Sequence, residues 1–403
     1  MYYSNKMFRK LFSRIRILMF LPLVFLLFSC SLDKKANWTI LVYMAADNSL
    51  GQQAVEDIIQ MERAKYPSSV NVIVQLDPDQ YGSDPQGRRY KIAHNTLPYI
   101  ASPVIEYLGE IDSGYYLTLA DFVNWGVAKY PANHYLLVIW SHGSGWTRED
   151  DPSRWICPDT NSLSQMSIAG GDFKNAFQLF SRKMDIMIMD ACFMQTIEVI
   201  TEVYQYNDFI IASENSVPYE GFPYQEILEL WNHYRTPQYI AAAIVDRYMK
   251  SHLPGGSQNP GGFTRSTTCS AVKTSRLPHF LQLLQQFVVN WQHLADSEVT
   301  IEARRMSQTF NFSQADIDLK EFFSHLHTLT EDPLLKSDLE VILAAIDELF
   351  IAQASMNLPF NTGTASIWYP DNKDNFLGSR ELYNNLDFAQ TGWLNFLESS
   401  LSR

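Results

Sequence analysis

The sequence predicts an α/β fold, a mostly parallel sheet flanked by helices that runs on into a helix-rich C-terminal region. Three observations carry that expectation. Short apolar runs rich in Ile, Val and Met, bounded by polar residues, read as strands buried on both faces. Stretches with apolar residues at helical spacing separate them, the pattern of β–α–β units with right-handed crossovers. Two of the runs, 134–146 (H-Y-L-L-V-I-W-S-H-G-S-G-W) and 184–196 (M-D-I-M-I-M-D-A-C-F-M-Q-T), deliver His142 and Cys192 just past their ends. Ligands of open parallel sheets bind outside the carboxyl ends of the strands, so two neighbouring runs of this kind set an imidazole beside a thiol.

Taken in order, residues 38–45 (W-T-I-L-V-Y-M-A) form the first strand. Asp47, Asn48 and Ser49 offer helix-capping side chains before a helix over 50–65, whose Val55, Ile58, Ile59 and Met61 recur at helical spacing. A strand over 70–76 completes the first β–α–β unit. Residues 81–112 are irregular, with a hairpin from 88–92 to 104–108, and a helix over 117–129 stops at Tyr130-Pro131. The polar segment 143–170 reads as a long loop beside the site. After it come a short helix (172–180), the Cys192 strand, a helix over 196–206 and a buried strand over 209–212. Helices follow over 226–233 and 237–251. The Gly/Pro-rich stretch 253–262 is a linker or lid candidate. Residues 267–272 are strand-like, 277–294 a long helix, 297–354 mainly helical, 364–369 a late strand and 393–401 a closing helix.

Composition narrows the function. A net charge of −13, with no basic run outside the N-terminus, argues against nucleic acid as a partner and favours cationic substrates. At the N-terminus, Lys6, Arg9, Lys10, Arg14 and Arg16 precede an apolar segment over 17–28, the layout of a secretory signal. That segment is shorter than the about 20 residues a membrane-spanning helix needs. It ends in Leu27-Phe28-Ser29-Cys30, which resembles a bacterial lipoprotein signal. The resemblance implies cleavage before Cys30, a lipid on that cysteine, and an exported chain anchored to the cell envelope membrane. A plain secretory signal or an uncleaved anchor is the alternative. The expected organisation is 1–30 signal peptide, 31–37 tether, 38–276 catalytic core and 277–403 helix-rich region. Cys157 and Cys269 remain, and one disulfide or a reduced pair suits the sequence equally.

Taken singly, a His after a strand is more often structural, and a Cys after an apolar run more often a small core residue. Their joint context changes the reading: each ends its own strand, Gly143 follows the His, and a helix follows the Cys. A thiolate is the working nucleophile of such a pair, favoured by a nearby imidazole and by a helix N-terminus. His142 supplies acid–base chemistry. Gly143 has no Cβ, so its N–H can approach a substrate oxygen and, with the N–H of Cys192, form an oxyanion hole. Asp190, two residues before the Cys, points to the same face and reads equally as a partner for a guanidinium or ammonium and as a structural acceptor.

The blocks T-I-L-V-Y-M-A-A-D-N-S-L (39–50), L-L-V-I-W-S-H-G-S-G-W (136–146) and M-D-I-M-I-M-D-A-C-F-M (184–194) resemble the clostripain family of cysteine peptidases. I-A-S-E (211–214), P-Y-E-G-F (218–222) and T-A-S-I-W-Y-P (364–370) extend the resemblance to residues 38–370. It implies a caspase-like fold, a His142/Cys192 dyad and cleavage of protein or peptide substrates after a basic P1 residue, with Asp190 as the pocket acid. The dyad residues lie 50 apart, about the separation in caspase-type enzymes. Where relatives carry a Pro-Gly-Asp-Gly type loop this chain has Pro218-Tyr219-Glu220-Gly221, so Glu220 stands as a longer second acid. One methylene of that kind is worth ~1–3 kcal/mol in a pocket. Ser213 joins these two as a substrate-binding candidate, and Gln195 is larger than the glycine often found there.

The resemblance also raises internal cleavage between the dyad residues, where Arg148 and Arg154 lie, and a calcium requirement, for which Asp77, Asp79, Glu149, Asp150 and Asp151 are oxygen donors. No loop has EF-hand spacing, so these acids read as solvated loop charges, and His325 and His327, two apart on a helix, point to different sides. No cofactor or metal is expected. The whole reading is a cysteine endopeptidase cutting after Arg or Lys. A catalytically silent surface-binding lipoprotein of the same fold, and a transpeptidase or amidase using the same dyad, are the rivals.

Overall fold

The computed structural model describes residues 35–79, 86–146, 155–294, 297–310, 315–358 and 362–401. Its elements run β1 (Ala36–Ala46), α1 (Gly51–Arg63), β2 (Val70–Pro78), β3 (Gly87–Lys91), β4 (Val104–Gly109), α2 (Tyr116–Lys129) and β5 (Ala132–Trp140). Then come β6 (Ile156–Asp159), β7 (Ser164–Met166), α3 (Asp172–Gln178), β8 (Met184–Asp190), α4 (Ile197–Val203), β9 (Asn207–Ala212), α5 (Tyr224–Glu229), α6 (Pro237–His252) and β10 (Thr267–Lys273). The chain ends with α7 (Leu277–Leu294), α8 (Ser297–Met306), β11 (Thr309–Phe310), β12 (Asp316–Asp318), α9 (Leu319–Leu329), α10 (Pro333–Leu349), β13 (Phe350–Met356), β14 (Ser366–Trp368), α11 (Lys373–Tyr383) and α12 (Trp393–Leu401).

Among the described residues, nine strands form one sheet in the order β13-β10-β9-β8-β5-β1-β2-β3-β4. Its centre is parallel, β9-β8-β5-β1-β2, and both flanks are antiparallel, so the expected mostly parallel α/β sheet is what forms. The strand period of two explains why the central runs look uniformly apolar: successive side chains enter two different cores. From β1, Leu41, Tyr43 and Ala45 join one cluster, while Ile40, Val42 and Met44 join the other. The first cluster is roofed by α2, α3, α4 and the C-terminal helices. The second is closed by α1, α5 and α6.

Several expectations change. Residues 350–356 form β13, an edge strand, rather than continuing a helix; α10 runs into it without a break, and its half-exposed pattern has no alternation to announce it. The 143–170 segment holds the β6–β7 hairpin, pinned because Ile156, Cys157 and Met166 are fully buried. Residues 36–403 cluster as one compact unit. Cys157 and Cys269 are both free thiols, one in each core on opposite faces of the sheet, which rules out the disulfide alternative. Cys30, Arg148, Glu149, Asp150, Asp151 and Arg154 lie outside the described residues. No described helix is long and apolar enough to cross a membrane.

Candidate active site

β5 and β8 are adjacent parallel strands in a register that sets Trp140 opposite Asp190. His142 and Cys192 therefore each stand two residues beyond one registered pair, at the C-terminal end of the sheet. The two tips pack tightly. A Cβ on Gly143 would come within 2.9 Å of both the Ala191 Cβ and the Cys192 carbonyl oxygen, so only glycine fits. Among the described residues, neither the Gly143 N–H nor the Cys192 N–H has a hydrogen-bond acceptor.

The Cys192 sulfur is held by the loop after β9. The Val217 N–H donates to Sγ at 3.3 Å, and the thiol lies 3.8 Å from the Val217 carbonyl oxygen. Burial pushes the thiol above its ordinary range, the Val217 N–H opposes that, and the Asp190 charge adds to it. Burial lowers the His142 imidazole. Its Nε2 meets the Ser49 hydroxyl at 2.9 Å. Burial thus favours the neutral form of both groups. The expected helix-dipole activation does not apply: Cys192 sits in a turn, four residues intervene before α4 begins at Ile197, and Thr196 caps that short helix through the Val199 N–H.

Asp190 is buried at the end of β8, 5% exposed. Its Oδ2 accepts from the Tyr224 hydroxyl at 2.7 Å and the Phe222 N–H at 3.3 Å. Gly221, with φ +61°, lies directly over the carboxylate, where a Cβ would sit 2.9 Å from Oδ2. Burial raises the Asp190 pKa to about 6, against the pull of those two donors. Behind it, Asp57 of α1 is fully buried and accepts from Trp140 Nε1, Gln53 and Gln60. Burial first, and the Asp190 charge second, push Asp57 well up. Among the described residues no cationic side chain pairs with either acid. Two buried carboxyl groups without a counter-ion are groups that a guanidinium or ammonium could pair with.

The other candidates are placed differently. Glu220 is held by both nitrogens of Arg265, the second at 2.6 Å, and its carboxyl is lowered by that pairing. It is committed within the chain rather than open to a substrate. Ser213 is fully buried; its hydroxyl meets Thr268 and takes the Asn215 N–H, so it braces the strand end and offers nothing to a ligand. Stretch 253–262 is a tied loop, with Gln258 donating to the carbonyls of Glu220 and Phe222. Asp77 is buried and raised by burial to about 8, not a solvated loop charge. Among the described residues no group of three or more His, Cys, Asp or Glu could hold a metal ion.

Sequence reasoning missed Ser49, Val217, Tyr224 and Asp57. Only Asp57 left a signal: it falls three after Ala54 and four before Met61, on the apolar stripe of its helix, where a carboxylate is out of place.

Comparison with known proteins adds three findings. The profile of the clostripain family matches residues 42–399. Clostripain of Hathewaya histolytica is 29% identical over 230 residues, which cover 49% of this chain and 42% of that protein, so the chain matches under half of that relative's length. Two crystal structures share the fold at TM-score 0.68. One is a secreted C11 cysteine protease from Bacteroides thetaiotaomicron in complex with an irreversible peptide inhibitor (21% identity; 88% of this chain, 99% of that one). The other is an inactive zymogen C11 protease from Parabacteroides distasonis (19% identity; 89% and 98%).

Proposed function

The chain belongs to the clostripain family, and on that premise we propose that it is a cysteine endopeptidase that hydrolyses peptide bonds after Arg or Lys. The observation that supports this most is the β5–β8 register, which brings His142 and Cys192 to neighbouring strand tips beside two buried, uncompensated carboxylates. The P1 cation pairs with Asp190, with the buried Asp57 carboxyl behind it. Its carbonyl then lies beside Cys192.

Cys192 Sγ bonds to the carbonyl carbon while its proton passes to His142. The oxygen, now anionic, is held by the N–H groups of Gly143 and Cys192. His142 returns the proton to the leaving nitrogen as the C–N bond breaks, leaving a thioester. Water attacks that thioester, His142 takes its proton, and the sulfur leaves and is reprotonated. Burial favours the neutral form of both groups, so proton transfer from thiol to imidazole accompanies attack on the bound substrate. Glu220 fixes the Tyr219–Phe222 loop through Arg265 and acts on the pocket only through that loop.

Export and lipidation of Cys30 complete the reading, supported by the N-terminal signal and by a relative described as secreted. The test is a peptide library varied at P1. Cleavage confined to Arg and Lys, lost in Cys192→Ala, is the expected result, and equal cleavage after neutral P1 residues refutes the assignment. Radiolabelled palmitate should enter the wild-type chain in cells and not Cys30→Ser.

A further inference from the structure

We infer that Ser49 is the positioning residue of His142: its hydroxyl, 2.9 Å from Nε2, fixes the ring so that Nδ1 is the nitrogen that exchanges a proton with Cys192. This rests on the peptidase reading and adds a residue to it. Ser49 lies in the loop between β1 and α1, and that loop is built to hold it still. Asn48 Nδ2 donates to the carbonyls of Ala45 and Pro158, both at 2.9 Å, and its Oδ1 accepts the Leu50 N–H at 3.0 Å. Ser141, next to the histidine, ties back to the Ala45 carbonyl through its hydroxyl at 2.8 Å. The ends of β1 and β5 and the β6 hairpin are thereby stitched together around one imidazole, whose own carbonyl accepts the Cys157 N–H.

The chemistry of a hydroxyl partner differs from that of a carboxylate. With the proton on Nε2, Nε2–H donates to Oγ in the neutral ring and again in the imidazolium, so the orientation survives both states and Nδ1 keeps its lone pair for the thiol proton. A neutral partner adds no charge that would hold the ring protonated. The ionisable groups on the elements packed around it all have other partners among the described residues. Asp47 takes the Asn161 N–H, Asp159 takes Ser113 and Ser162, Asp190 takes Tyr224 and Phe222, and Asp77 lies against Ser113 and Asp159. Cys157 is buried and Cys192 meets Val217.

The test uses the full chain and five substitutions. Ser49→Ala should lower kcat about tenfold with KM changed less than about twofold, a fraction of what acid–base catalysis supplies, and Ser49→Thr should restore it. Ser49→Asp should move the acid limb of the kcat profile upward by about a unit or more, because a carboxylate beside Nε2 favours the imidazolium. Nitrogen-detected NMR of His142 in Cys192→Ala reads the same point without turnover: the Nε2–H tautomer is expected, and Ser49→Asp should raise the titration midpoint. Unchanged kcat in Ser49→Ala, or an unmoved midpoint in Ser49→Asp, overturns the inference. If His142→Ala retains full activity, the peptidase reading itself fails, and that outcome is distinct.

Discussion

Replacing Asp190 by Asn should move stability and activity in opposite directions, and both magnitudes follow from the site. Asp190 titrates at about 6 in the folded chain against an ordinary 3.8. A folded value above the unfolded one means its contribution is fully present below pH 3.8 and is lost as pH rises through 6. At 1.36 kcal/mol per unit, ionising this buried carboxyl withdraws about 3 kcal/mol from the wild type by neutral pH. The Asn variant loses nothing over that interval. Its amide oxygen can take the bonds from Tyr224 and Phe222, while its NH2 lacks an acceptor at a cost of about 1–3 kcal/mol that does not vary with pH.

The informative quantity is therefore the difference in unfolding free energy between the two proteins, measured by urea denaturation at pH 4.5 and 7.5. It should shift by about 2 kcal/mol in favour of the variant between those two pH values, the part of the effect that falls between pH 4.5 and 6. Over the same range kcat/KM for a P1 Arg substrate should fall ~100-fold or more, since a desolvated charge-assisted pair is lost. A stability difference that is flat with pH, or Arg cleavage kept within threefold, refutes the account of an uncompensated acid waiting for a cation.

Further expectations concern the neighbours of Asp190. Cys192→Ala should abolish turnover and leave the melting temperature within about 2 °C, as the side chain is part-exposed and only a sulfur is removed. Alkylation of Cys192 by iodoacetamide should rise only at alkaline pH, above the midpoint of an ordinary thiol; a plateau of reactivity from pH 5 to 7 would show a thiolate–imidazolium pair instead. Gly143→Ala should cost about 1–3 kcal/mol of stability and remove most of kcat, because the methyl lands on Ala191 and the Cys192 carbonyl. Gly221→Ala should relax P1 selectivity, since its Cβ meets Asp190 and its φ of +61° is strained for alanine; unchanged Arg preference would place the cation elsewhere.

The placement of the two strand tips was legible because a strand buried on both faces leaves a run with no polar interruption, and whatever follows it stands out. His142, Gly143, Asp190 and Cys192 all sit at such ends. Hydrogen-bond partners were not legible. Glu220 and Arg265 are 45 residues apart with no local pattern between them, so a residue that reads as a pocket acid is already paired. Ser213 looks like a site residue by adjacency to a strand end, yet its hydroxyl turns into the sheet toward Thr268. Asn48 and Ser49 read as ordinary helix caps, but their side chains bind across to β5 and β6 rather than along α1. β13 was hidden because an edge strand half open to solvent needs no alternation.

The sheet order has one more consequence. Every strand before Trp146 lies on one side of the β5–β8 junction, and every strand of the main sheet after Trp155 lies on the other. A single scission between those residues would yield two fragments meeting along that seam, with the imidazole on one and the sulfur on the other. Five registered residue pairs and both cores cross it. Such a nicked chain would migrate as two bands in detergent and as one particle in native buffer, a heterodimer whose turnover reports whether the halves remain joined.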